Sequence, residues 1–291
     1  MRKMIFVFTI CLLLLTLSLI LFDKYQDNDK EEVTYSIKSS YAYLSNNNET
    51  IFDVRLYTSS KNSLIKYAAS SNANIHDKSN DTIVDVEVID VYQMSNTTYS
   101  GKNFYEYSLS LKVKVNELNI NDAYLTLNFT NQAYTFYLGC IDIKENIYKG
   151  NELKIVDLYG VSSKDNISLA GIVMTISNQS DQSIKITDIS IGDDFNVILD
   201  TKYITEVKES VFVEDYLNGD IDNDGYIEIE ANSRKTFILP IKYLNEYYLY
   251  NCYLIIYGDD FTYLLSNYNY INSNDLEGLE KYLFKGMIYD I

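Results

Sequence analysis

The segment YSLSLKVKVN, residues 107–116, limits the fold more than any other stretch of the chain. In an extended backbone Leu109, Leu111, Val113 and Val115 point one way, and Ser108, Ser110, Lys112 and Lys114 the other. A strand with one apolar and one polar face is the habit of antiparallel sheets, which bury one side and wet the other. The same period of two recurs at Val84, Val86 and Val88, at Ile172, Met174 and Ile176, at Ile184 and Ile186, and at Phe237, Leu239 and Ile241. Most of these runs are short and are separated by Asn, Ser, Asp or Gly, which predicts an all-β chain folded as a sandwich or barrel. Amphipathic helices do not alternate with the strands, so a parallel α/β fold is disfavoured. One short C-terminal helix is expected in SNDLEGLEKYLFKG. Ser273 or Asn274 caps it, Leu276, Leu279 and Leu283 share a face, Lys285 lies late and Gly286 ends it.

A chain of 291 residues has room for two average domains. Its two halves echo one another. Asn116-Glu117 aligns with Asn245-Glu246, Tyr124-Leu125 with Tyr253-Leu254, and Tyr134 with Tyr263. Both stretches read as strand, Asn-Glu connection, strand, polar turn, strand. Two related sandwich domains are expected, residues 33–148 and 149–291, with the break in KENIYKGNE. Within the second, ISLAGIVMTISNQSDQSIKITDISI carries Ile172, Met174, Ile176, Asn178, Ser180, Ile184 and Ile186 in a strand, Asn-x-Ser turn, strand order. This stretch resembles bacterial extracytoplasmic immunoglobulin-like domains. The resemblance implies two tandem Ig-like β-sandwiches and an extracytoplasmic location, and it brings no catalytic residue.

The N-terminus supports that placement. Arg2 and Lys3 precede an uncharged run over residues 4–22. As a helix the run would extend about 28 Å, close to the hydrocarbon thickness of a bilayer. Positive charge at its start keeps the N-terminus cytoplasmic and sends the remainder across. A cleaved signal peptide competes with a permanent anchor. The run is long for a signal core and lacks an A-x-A end, so an uncleaved single-pass transmembrane helix over residues 1–24 is the preferred reading, with secretion as the alternative. Residues 25–32 are almost devoid of apolar side chains and read as a spacer.

Formal net charge is -17, which repels phosphate backbones and excludes nucleic acid as a partner. The 29 tyrosines, with no tryptophan and one proline, read first as the codon bias of an AT-rich genome. Cys11 lies in the apolar run. Cys140 and Cys252 are either buried small side chains or, in an exported chain, a disulfide. Their spacing fits no zinc motif.

GDIDNDGYIEIE, residues 219–230, is the one candidate metal site. Asp220, Asp222 and Asp224 place carboxylates at alternate positions of a tight loop, and Gly225 permits the turn. The carbonyl of Tyr226 falls at the next liganding position. DIDNDGYI resembles EF-hand and dockerin-type calcium loops, and the resemblance implies a structural Ca2+. The bidentate Glu expected at position twelve is missing, since Ala231 stands there. Glu228 or Glu230 would have to close the site, on a strand that turns Ile227 and Ile229 into the core. The competing reading is an acidic hairpin turn at Asp224-Gly225.

Catalytic signatures are absent. The single histidine, His76, lies in the polar stretch NANIHDKSND, which reads as a solvated loop. YLNEYYLYNCYLIIYG carries Tyr243, Tyr247, Tyr248, Tyr250, Tyr253 and Tyr257, either an aromatic patch for a partner or rings that fill a core. The expected function is therefore a non-catalytic, membrane-tethered extracytoplasmic binding or accessory module for a protein or cell-wall partner. The alternative is an extracytoplasmic hydrolase working with paired carboxylates drawn from 41 Asp and Glu.

Overall fold

The computed structural model describes residues 32–45, 47–79, 82–146, 153–164, 166–191, 195–197, 202–204, 226–243, 249–258, 262–271 and 282–291. The protein is all-β, as the alternation predicts. In the first half, β1 (Thr34–Ile37) pairs with β3 (Thr50–Thr58), and β3 with β6 (Lys102–Val113). Beyond β6 lies β5 (Ile83–Tyr99). A second group runs from β4 (Asn72–His76) through β7 (Leu118–Asn128) to β8 (Gln132–Glu145). β5 passes between the groups, because residues 83–86 pair with β4 and residues from Val86 onward with β6. β2 (Ser39–Ser45) follows β1 after one residue and runs parallel to β8.

Both groups turn their apolar phase inward. Phe52, Val54 and Leu56 of β3 and Leu109, Leu111 and Val113 of β6 share one core with Ile75 of β4, Leu125 and Leu127 of β7, and Tyr134, Phe136 and Leu138 of β8. These are the positions the period of two assigns to one face. Between the groups a short 310 helix, Leu64–Ser70, seals the edge of the core with Ile65 and Ala68. Its cap is Ser63, whose Oγ accepts from the Ile65 amide at 3.2 Å.

The second half repeats this pairing. β9 (Leu153–Ser163), β10 (Asn166–Asn178) and β15 (Arg234–Tyr243) form one ladder. β12 (Phe195–Val197) and β13 (Lys202–Ile204) lie on the far side of β15. The other ladder is β14 (Ile227–Ile229), β11 (Ile184–Ile191), β16 (Leu249–Gly258) and β17 (Thr262–Ile271). Ile172, Met174, Ile176, Phe237 and Leu239 of the first ladder meet Ile184, Ile186, Ile227, Ile229, Leu254 and Ile256 of the second. In each half, the strand before the Asn-Glu connection (β6, β15) belongs to one ladder. The two strands after it (β7 and β8, β16 and β17) form a hairpin in the other.

The halves share a ladder. Leu249–Asn251 of β16 pair in parallel with Ser39–Tyr41 of β2, so hydrogen bonding runs unbroken from β4 to β17. At this seam Tyr253, fully buried, donates its hydroxyl hydrogen to the Asp142 carboxylate. Lys144 stands 4.0 Å from the same carboxylate and over the Tyr253 ring. Ala42, Leu44, Tyr253 and Ile255 form a small core of their own there.

The expected C-terminal helix is corrected in its last turn. Leu283–Lys285 form β18, an extended strand paired with β1, and Met287–Asp290 form β19, paired with the start of β8. The remainder of that expectation, residues 272–281, lies outside the described residues, as does the apolar run 4–22. The open edges of β1 and β8 supply hydrogen-bond partners over this stretch, and tertiary pairing overrides a weak helical preference. Gly286, read as a helix stop, is a point of close approach. Its amide donates to the Thr34 carbonyl at 2.8 Å, and a Cβ there would press on Thr34 and Phe136. Among the described residues no helix is long and apolar enough to cross a membrane.

Candidate functional site

Outward-facing positions of β4, β7 and β8 should be polar, since the opposite phase fills the core. Three of them are rings. His76 lies opposite Tyr124 in the ladder, and Tyr124 opposite Tyr137. The His76 and Tyr124 rings stack at 5.6 Å with 14° between their planes. Tyr124 and Tyr137 lie 5.2 Å apart, and Phe284 of β18 extends the row at 4.6 Å from Tyr137. From His76 to Tyr137 the row crosses the sheet along its hydrogen-bonding direction, one strand, about 4.8 Å, per ring, and Phe284 joins it from β18, which is paired with β1. Phe284 is 37% exposed, and Met287 and Tyr289 beside it on β19 are 45% and 48% exposed. The face is therefore open to solvent.

A polar line runs along one flank. His76 Nδ1 lies 3.0 Å from the Asp77 carbonyl oxygen, which can only accept, so in the neutral ring Nδ1 carries the hydrogen. Nε2 then accepts from the Thr126 hydroxyl at 3.2 Å, and Thr126 accepts from Thr135 at 3.0 Å. On the other flank the Tyr137 hydroxyl donates to Asp122 Oδ1 at 3.0 Å. Burial, and then this carboxylate, push the Tyr137 phenol well above its ordinary value, so it stays a neutral donor. The arrangement offers a row of half-open rings edged by the Thr126 hydroxyl and a carboxylate.

His76 is a correction. The first five residues of the stretch read as a solvated loop, Asn72–His76, form β4, with Ala73 and Ile75 buried and His76 half-buried on the outer face. The strand is short and Asn-rich, which hides its alternation. Tyr253, one of the tyrosines of the C-terminal patch, is core, and Tyr257 packs beside it. The side chains of Tyr243, Tyr247, Tyr248 and Tyr250 lie outside the described residues.

The acidic loop is only partly visible. Asp220, Asp222 and Asp224 lie outside the described residues. Tyr226 precedes β14, in which Ile227 and Ile229 are buried, while Glu228 and Glu230 are exposed. Glu228 Oε1 accepts from the Ser183 hydroxyl at 2.5 Å, and Lys185 stands over the Tyr226 ring at 4.5 Å. Among the described residues no cluster of His, Cys, Asp or Glu has metal-binding geometry. Behind β14 sits Asn178, 1% exposed. Its Nδ2 donates to the carbonyls of Gln182, Ile229 and Glu230, and its Oδ1 accepts from the amide and hydroxyl of Ser180. The Asn-x-Ser turn is thus an internal bolt between the end of β10 and the end of β14. Cys140 is buried and its thiol donates to Ser40 Oγ at 3.3 Å, while the side chain of Cys252 lies outside the described residues.

No protein-family model matches the chain, and no curated protein matches it.

Proposed function

We propose that this protein is a membrane-tethered extracytoplasmic binding module built from two Ig-like β-sandwiches, and that the row His76, Tyr124, Tyr137 and Phe284 is its binding face. The strand order supports the Ig-like reading. β1·β3·β6·β5 and β4·β7·β8 correspond to the ABED and CFG sheets of that fold. β9·β10·β15 with β13, and β11·β16·β17, repeat the order. The apolar run over residues 4–22 supports the tether. The observation that carries the binding role is the ring row itself. Core-facing phases of the same strands are filled, so rings on the outer phase add no interior packing, and aromatic side chains left half-open on one face are the usual mark of a recognition surface.

Calcium belongs to the proposal as a structural brace. Three aspartates at alternate positions lead directly into β14, where Glu228 and Glu230 sit on the exposed side. The test of the whole reading uses the full chain expressed in its host. The protein should sediment with membranes, should be cut by protease added to intact wall-stripped cells, and should bind isolated cell envelopes when purified in detergent. The Phe284→Ala and Tyr124→Ala chains should bind envelopes at least several-fold more weakly. Envelope binding that ignores both changes would remove the ring row from the function.

A further inference from the structure

We infer that the ring row is a binding ledge for a neutral glycan chain. The inference rests on the binding reading above and adds the class of ligand. A sugar ring presents a flat C–H face and a rim of hydroxyls. The ledge presents the complement: a line of rings, the half-buried Thr126 hydroxyl along one flank, and the Asp122 carboxylate on the other. His76, Tyr124 and Tyr137 advance by one strand per ring and Phe284 lies beyond Tyr137, an arrangement that suits a linear polymer lying across the sheet.

Two further observations choose among ligands. A protein hot spot is a deep, dry pocket ringed by sealing contacts, whereas this row is half-open to solvent with polar groups on both flanks. An anionic polymer needs cationic partners. The groups bonded to the row are neutral except for Asp122, and the chain as a whole carries -17. That field repels uronate or phosphate polymers and leaves uncharged glycans unaffected.

The experiment is affinity electrophoresis of the full chain in a polyoxyethylene detergent, chosen because glycoside detergents would themselves occupy a sugar site. Native gels contain hydroxyethyl cellulose, a soluble β-glucan, glycol chitin or, as the anionic control, polygalacturonate. Retardation by at least one neutral polymer and not by polygalacturonate is expected. Phe284→Ala and Tyr124→Ala should each weaken it about tenfold, the scale of one lost stacking contact. Ile51, exposed on β3 in the other ladder, serves as control, and Ile51→Ala should leave retardation unchanged. Circular dichroism confirms that each variant is folded. Phe284 is exposed enough that its truncation leaves the core intact. No retardation by any neutral polymer, or retardation that neither ring change alters, overturns the inference. If envelope binding still depends on the rings in that case, the binding reading stands and the partner is a protein. If envelope binding ignores the rings, both fall.

Discussion

Asn178 shows how much one side chain can organise. Its carboxamide is buried and satisfies three carbonyls, two of them on the exit from β14. Asn178→Ala would strand those carbonyls, at a cost of about 1–3 kcal/mol, and should lower the thermal midpoint accordingly. Asn178→Asp should cost no less, because a carboxylate cannot donate to them. Gly139 carries a different constraint. Its φ is 107°, and a Cβ there would run into the Ser39 backbone. Gly139→Ala should lose at least about 1–2 kcal/mol of stability in denaturant titration, since an L side chain resists this backbone region. Tyr41 is wholly buried, and burial raises its phenol above the ordinary 10.0; Tyr134 is raised as well, by burial and then the Glu32 carboxylate. A pKa raised on folding contributes stability that is intact below the unfolded value and is lost as pH climbs toward the folded one. Stability should therefore hold through neutral pH and begin to fall above about pH 10. The part of the tyrosinate absorbance that belongs to the buried phenols should appear only together with unfolding by circular dichroism, and Tyr41→Phe should soften the alkaline fall. Complete ionisation of the tyrosines before any unfolding would contradict the buried placement.

The element that matters most is the C-terminal pair β18 and β19. It supplies a partner to both β1 and β8 and brings Phe284 onto the ring row. Ending the chain after Tyr282 should expose both strand edges. The thermal midpoint should drop, limited proteolysis should cut near the start of β8 sooner, and envelope binding should fall as it does for Phe284→Ala. The helical pattern of Leu276, Leu279 and Leu283 was legible in the sequence, but strand pairing is a long-range event that no local periodicity records. Alternation was more reliable. It placed Leu109, Leu111 and Val113, and Ile172, Met174 and Ile176, correctly in cores. The outward rings Tyr124 and Tyr137 were legible by the same rule, since they occupy the polar phase beside Leu125 and Phe136. Phe284 was hidden by the helical reading, and His76 by the brevity of β4.

At the scale of the molecule, the seam between the halves is hydrogen-bonded through β2 and β16 and fastened by Tyr253 and Asp142. Tyr253→Phe leaves a buried carboxylate short of a donor and should cost about 1.5–3 kcal/mol. The wild-type chain should melt in one transition by calorimetry, and the variant should show a broader or split one. Calcium acts at the same scale if the acidic loop holds it. A bound ion adds stability by mass action, so the midpoint of the full chain should rise with millimolar calcium and return with chelator. In Asp222→Ala/Asp224→Ala it should not respond. A midpoint indifferent to calcium in both chains would leave the loop as an acidic turn.

The sequence by itself determined the all-β class, the inward phase of the strands it displays most clearly, and the charge that turns phosphate polymers away. Each of these follows from local chemistry: side-chain alternation at a period of two, and summed charge. Tertiary structure alone decided which strands pair, that residues 283–290 pair with strands of the first half, and that rings from β4, β7, β8 and β18 meet in one row. Register is settled by the burial of whole faces and the closing of open edges, and those are properties of the folded chain.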